Sequence, residues 1–361
     1  MRDAFKTLGL VAILLIGLDG VLAAVLSGPA PNSLKRFFEY GRSVPGKIAL
    51  WQATPGQPGD MTNVSWRDEI LAKSRAEFAT EDSTSVLRVY GMSFVDQIAR
   101  AAQKVDPALI VDLHSGPAAP PNFTYAMAQD DRVNRRAGDV VIWGVLSSSV
   151  PAMASYSNRV WQFEQPAPFT YPVYHPDSTG LRRQDPVLTT QAQQHLLATD
   201  PDLQRAWDRQ LHDTDALYVP AAFMWPWLDI SPFARLIRRA LVTGEIADRK
   251  ARIIAQPKAG PYPYQNVLQG MALNLAQQAR ADGQILIVVL AQTGDPRDVD
   301  LLALLGPFLE QHGIPYLATA KVQDPRDARA FIPDGHYTDA VNARFGAAVV
   351  DLLNRLGMPP S

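Results

Sequence analysis

Short apolar runs at 86–90 (VLRVY), 108–114 (ALIVDLH), 139–146 (DVVIWGVL) and 284–291 (QILIVVLA) alternate with longer stretches of helical periodicity, and no other feature narrows the fold as much. A strand covered on one face alternates apolar and polar residues, whereas these runs are apolar almost throughout, the pattern of parallel strands buried on both faces. The stretches between them supply the covers. After the first run, Phe94, Ile98, Ala101 and Val105 fall on one helical stripe. A helical stretch with Asn122 near its start follows the second run, and the chain closes with a helix at 299–312 ended by Gly313, a strand at 314–320 and a helix at 338–356. The expected architecture is α/β, a doubly wound parallel sheet with helices on both faces.

The alternation is confined to part of the 361 residues. Arg2 and Lys6 precede an apolar run at 8–26 that ends in Gly28, Pro29, Ala30 and Pro31, which reads as a signal peptide or a membrane anchor. No Ala-x-Ala site precedes Ser27, which favours a retained anchor, although Asp19 inside the run would cost about 2.5–3.5 kcal/mol at mid-membrane. Lys35, Arg36, Arg42 and Lys47 follow the run, so the flanking charge sets no orientation by itself. Residues 1–28 are therefore one unit, 29–82 a Pro- and Gly-rich linker and lead-in with a short apolar stretch at 48–51, and 83–361 the main domain. Within that domain the alternation lapses at about 150–265, a stretch holding Trp161, Trp207, Trp225 and Trp227 that reads as an insertion over the site; its aromatics suit stacking on sugar rings or a membrane interface, and the simpler reading is that they form the insertion's own small core.

Composition removes several kinds of chemistry. A net charge of −2 with no basic cluster gives no footprint for nucleic acid. The absence of cysteine excludes thiol nucleophiles, disulfides and thiolate metal sites. In a parallel sheet, ligands bind beyond the carboxyl ends of the strands, so the residues just after each run are the ones to inspect. After the first come Gly91, Met92 and Ser93, which set a serine at the start of a helix, where the dipole favours a developing anion; an ordinary helix-capping serine gives the same pattern. After the second come Ser115, Gly116 and Pro117. Before the last helix stand Asp334, Gly335 and His336, a possible base with a carboxylate two residues away to orient it.

Other polar residues carry weaker signals. His114 ends the second run and reads as structural, and His312 precedes Gly313 at a helix end, where a cation is favourable. His212, Asp213 and Asp215 hint at a metal cluster, yet so short a spacing on a polar stretch reads as a solvated face. Asp339 suits the first turn of the last helix. Asn63 and Asn122 begin matches to the glycosylation acceptor pattern.

Taken together, VYGMSF, VDLHSGPAAPPNFTYA and FIPDGHYTDAVNARFGAAVVDLL resemble the conserved blocks of the SGNH (GDSL-like) serine hydrolases, over most of 85–356 apart from the insertion. The resemblance implies a flavodoxin-like three-layer α/β/α fold and ester hydrolysis without metal or cofactor. It makes Ser93 the nucleophile and an oxyanion donor, Gly116 a second donor, His336 the base and Asp334 its acidic partner. Met92 stands where the family has Asp, and Pro333 where it usually has the acid. The third block's oxyanion asparagine is missing, leaving Ser147, Ser148 and Ser149 in WGVLSSSV, with Asn122 as a further candidate donor. Val95 distinguishes the segment from the Gly-x-Ser-x-Gly elbow of the α/β-hydrolases. The implied substrate is an acylated glycan of the cell envelope, reached in the periplasm or another extracytoplasmic space by a membrane-anchored or secreted enzyme. The alternatives are an O-acetyltransferase using the same site and a catalytically silent glycan-binding or assembly protein.

Overall fold

The computed structural model describes residues 2–26, 66–78, 85–162, 168–178, 180–197, 199–224, 227–228 and 231–357. The charges from Lys35 to Lys47, the 48–51 stretch, Asn63 and Trp225 lie outside them.

The apolar runs form a five-stranded parallel sheet made of β1 (Val86–Gly91), β2 (Ile110–Ser115), β3 (Val140–Leu146), β6 (Ile285–Ala291) and β7 (Tyr316–Ala318), in the order β2-β1-β3-β6-β7. Counting these strands alone, the order is 2-1-3-4-5, a doubly wound arrangement with its switch point at the carboxyl ends of β1 and β3. Strands β4 (Val173–Asp177) and β5 (Gly180–Gln184) pair with each other as a separate antiparallel hairpin. Pairing is in register up to the functional end, Gly91 opposite Ser115 and Leu146 opposite Ala291. Val89, Val141, Ile142, Val145 and Ile287 to Val289 are buried, as strands covered on both faces require.

Helices α1 (Arg2–Leu26) and α2 (Arg67–Phe78) precede the sheet; α2 packs beside β2 and shields that edge. One face carries α3 (Ser93–Val105) and the last helix, α12 (Asp339–Arg355). The other carries α4 (Pro121–Asp130), α9 (Tyr264–Ala281) and α10 (Leu301–Gln311). The remaining helices are α5 (Asn158–Trp161), α6 (Gln191–Leu196), α7 (Pro201–Thr214), α8 (Pro232–Ala255) and α11 (Thr319–Val322). Among the described residues α1 is the one helix long and apolar enough to cross a membrane, over Ala4–Val25.

Three local features differ from the sequence reading. The second strand starts at Ile110 because the Asp106 side chain accepts the Ala108 N–H at 3.1 Å and its carbonyl accepts that of Leu109, holding 106–109 in a turn. The seventh strand ends at Ala318, where Thr319 Oγ1 donates to the Leu290 carbonyl, accepts the Gln292 N–H and starts a helical turn. The stretch at 150–265 does not keep its aromatics to itself. Trp161 and Trp207 belong to the main core, a small separate cluster holds Val219, Ala222, Val242 and Ile246, and Trp227 is 67% exposed.

Two glycine contacts set how closely α3 can pack. Val95 presses onto the sheet between Gly91 and Gly144, where an added Cβ would come within 2.8 and 2.6 Å of its side chain. On the outer side, a Cβ on Gly346 of α12 would lie 2.5 Å from the Ala101 carbonyl carbon, so the two helices meet backbone to backbone. Backbone cannot swing aside as a long side chain can. Gly346→Ala is expected to cost about 1–3 kcal/mol, the range for overpacked cores, in urea or thermal denaturation. Gly244→Ala, at a helix position with nothing within 4 Å, should raise stability instead by about 0.5–1 kcal/mol.

Candidate active site

Ser93 owes its position to the turn out of β1. Gly91 ends the strand, and buried Met92 is the helix N-cap, extended at φ −137° and ψ 177°, with its carbonyl accepting the N–H groups of Val95 and Asp96. The alternative of an N-capping serine is therefore not met: Ser93 is the first residue of the helix, and its hydroxyl is left to other partners. Its N–H is one of the first-turn donors that an α-helix leaves without an internal acceptor.

That hydroxyl meets His336. Ser93 Oγ lies 2.6 Å from His336 Nε2, across 243 positions of sequence. The histidine sits in a tight loop closed by the Gly335 N–H to the Ile332 carbonyl at 2.9 Å and the Ile332 N–H to the His336 carbonyl at 2.8 Å. Gly335 takes φ +91°, a left-handed conformation that glycine adopts without strain. The imidazole stacks on Phe94, with centroids 4.6 Å apart and planes at 22°. On its far side Nδ1 is 3.1 Å from Asp334 Oδ1, which also accepts the His336 backbone N–H at 3.0 Å. That backbone N–H, together with the ring, holds the Asp334 carboxyl below the usual range. A carboxylate at Nδ1 fixes the hydrogen on that nitrogen and leaves the Nε2 lone pair for the Ser93 hydroxyl. The three sequence candidates form one relay, with Asp334 at its exposed end (64% exposed against 24% for His336).

The relay opens onto a cavity of about 970 Å³ also lined by Ala118, Ser148, Thr293, Asp295 and Arg326. Gly116 is absent from that lining, and its N–H points at the Gly91 carbonyl, 3.4 Å away, extending the β1–β2 ladder. The Gly116 N–H, expected as the second oxyanion donor, is thus directed at the strand ladder and not into the cavity. Two residues on, the chain forms a turn in which the Gly116 carbonyl accepts the Ala119 N–H at 3.1 Å. Ala118 at its corner is the one non-glycine with positive φ among the described residues, at +49°. Such a conformation costs about 1–3 kcal/mol and persists only where the surroundings enforce it. The enforcing contact is Asn158, fully buried, whose Nδ2 donates to the Pro117 carbonyl at 3.0 Å while its Oδ1 is held by Trp161 and Tyr171. In a trans peptide the N–H points opposite to the carbonyl, so pinning Pro117 turns the Ala118 N–H away from Asn158. The sequence reading missed Ala118, which lines the cavity, and Asn158, which holds the turn that carries it. Gly-Pro announced a turn, but only the ladder shows which of its N–H groups is spent.

The serines after β3 separate. Ser147 Oγ is committed to Thr293, 2.8 Å from its hydroxyl and 3.0 Å from its N–H, and Ser149 donates to the Leu146 carbonyl. Ser148 lines the cavity. Asn122 is buried in α4, its amide donating to the carbonyls of Met153 and Pro172, so it neither faces the site nor offers a glycosylation acceptor. His114 is buried, 2.7 Å from Asp112 and stacked on Tyr90 in a network with Arg88 and Ser74. His312 reaches back to the Phe308 carbonyl at its helix end. His212 pairs with Asp213 in solvent while Asp215 turns inward to accept from Ser155 and the Tyr156 and Leu217 N–H groups, so these three do not converge. No family model, curated protein or solved structure matches the chain.

One turn after Ser93, Asp96 is pushed up to about 6 by burial; one oxygen accepts the Ser115 hydroxyl at 2.5 Å and the other has no partner. Its unfolded value is about 3.9, so the folded state binds more protons between those values and stability falls as pH rises through about 4 to 6. Asp96→Asn should therefore raise the melting temperature at pH 8 and change it little at pH 4. An equal shift at both pH values would contradict the assignment.

Proposed function

We propose that this chain is a serine esterase that removes acyl groups, acetyl above all, from an envelope or exported polysaccharide, held at the membrane by α1. The observation that carries the reading is the 2.6 Å contact between Ser93 Oγ and His336 Nε2, with a carboxylate on the opposite ring nitrogen. Nucleophile, base and orienting acid in this order are the parts that acyl transfer needs. His336 takes the hydroxyl proton as Oγ attacks the ester carbonyl. The Ser93 and Ala118 N–H groups and the Ser148 hydroxyl hold the charge that develops on the carbonyl oxygen. The imidazolium then protonates the sugar oxygen as its bond to the acyl carbon breaks, releasing the sugar hydroxyl. Water attacks the acyl-serine with His336 again as base, releasing the acid and restoring the serine. A cavity of about 970 Å³ is at the upper end of small-ligand sites, about 300–1,000 Å³, and has room for sugar as well as an acyl group.

The test is turnover of p-nitrophenyl acetate and of an acetylated polysaccharide. Ser93→Ala and His336→Ala should fall to background with unchanged melting temperatures. Substantial turnover in well-folded Ser93→Ala would remove the nucleophile. Asp334→Asn should cost less than the roughly 10⁴-fold of a buried protease triad, because water reaches the exposed Asp334 and can replace it; about 10- to 10³-fold is expected.

The third donor is tested separately. Ser148→Ala should lower kcat by up to the roughly 10²–10³-fold assigned to one oxyanion donor, with Ser148→Asn restoring part of it. If Ser148→Ala leaves kcat unchanged, that hydroxyl does not reach the oxyanion.

A further inference from the structure

The sequence left Asp19 as a charge in an apolar helix, and the fold gives it a partner. Asp19 Oδ1 accepts the Ser231 hydroxyl and the Phe233 N–H, both at 2.9 Å, so the carboxylate sits on the N-terminus of α8. An anion there is matched by the free N–H groups and by the positive end of the helix dipole. α1 and α8 are thereby joined at one point, close to the end of the apolar span.

Helix α8 is unusual in what it shows to solvent. Its C-terminal half docks on the domain, Arg249 donating to the Tyr218 carbonyl and Lys250 lying 4.5 Å from the Trp161 ring centre. In its N-terminal half the charged Arg235 is buried, while Ile237 (46%) and Leu241 (67%) are exposed. Ala240 and Gly244 continue that exposed stripe at helical spacing. The preceding segment adds Met224 and Trp227, also exposed, and Arg238 ties it to the helix through the Met224 carbonyl at 2.8 Å.

We infer that the N-terminal half of α8 lies in the surface of the bilayer that α1 crosses, with Trp227, Ile237 and Leu241 sunk among the lipids. The inference rests on the reading of α1 as a membrane span. Asp19 lies six residues before Val25, the end of the apolar span, or about 9 Å along a helix rising 1.5 Å per residue. Amphipathic helices in a membrane interface bury their apolar face by about 5–10 Å. The Asp19 contact thus sets the start of α8 at interfacial depth. Two attachments, one spanning and one lying flat, would hold the domain in a fixed attitude to the membrane.

The chain has no cysteine, so single cysteines can be labelled without background. The full-length protein carrying the polarity-sensitive dye NBD at Leu14→Cys, Ile237→Cys, Leu241→Cys or the exposed control Asp324→Cys is placed in phosphatidylethanolamine–phosphatidylglycerol vesicles containing doxyl-labelled lipid. Dye at 237 and 241 should shift its emission to the blue and lose intensity to the doxyl group; dye at 324 should do neither. Quenching at 14 with none at 237 and 241 overturns the proposal while leaving α1 as an anchor. Absence of quenching at 14, 237 and 241 overturns both. Quenching at 237 and 241 alone removes the span from which the depth of α8 is argued and overturns the proposal as stated.

Discussion

Helices α3 and α12 touch through backbone at Ala101 and Gly346, and the site depends on that contact. Ser93 is the first residue of one helix and His336 lies three residues before the other, so the spacing of the two helix starts follows the packing of the helices themselves. A hydrogen bond between side chains contributes only about 1 kcal/mol net and cannot hold two elements together against thermal motion. Packing does that work along the full length of the pair, and the 2.6 Å contact at its end is a consequence. Val95, wedged between Gly91 and Gly144, sets α3 at the matching depth on the sheet. The serine, the histidine and the strand ends are in this sense one rigid body.

Charge is handled differently in the core beside β2 and in the loop before α12. Arg88, Asp112 and His114 are buried and bonded to one another, with Asp139 and Tyr90 beside them. Removing one member would leave its partner unpaired away from water, so such a network resists change and keeps His114 out of the crevice. Asp334, by contrast, is exposed and held by the backbone N–H of the histidine it orients. An acid so placed restricts the ring at little desolvation cost, but water competes for it. This exposure separates the relay from a buried triad.

The core strands were legible because burial on both faces leaves a run of apolar residues that little else produces. Ser93, His336 and Asp334 were legible because strand ends and helix starts are where a parallel sheet gathers chemistry. The failures are equally physical. Gly116 was expected as a donor because glycine exposes its N–H, yet whether that N–H is free depends on the ladder running one residue further, which no local pattern records. Ser147 and Ser148 are neighbours of one type, separated only by the reach of Thr293 from another loop. Asn158 acts from inside a stretch that reads as an insertion. Asp19 and α8 are more than 200 positions apart, and neither alone announces the other.

The proposal stands or falls on whether the geometry around His336 makes Ser93 strongly nucleophilic. Intact-mass spectrometry after exposure to a fluorophosphonate reports this directly. One adduct per chain, located by tandem fragmentation on Ser93 and absent from His336→Ala, is the expected result. An unmodified protein, or an adduct at another serine that persists without His336, would contradict the account.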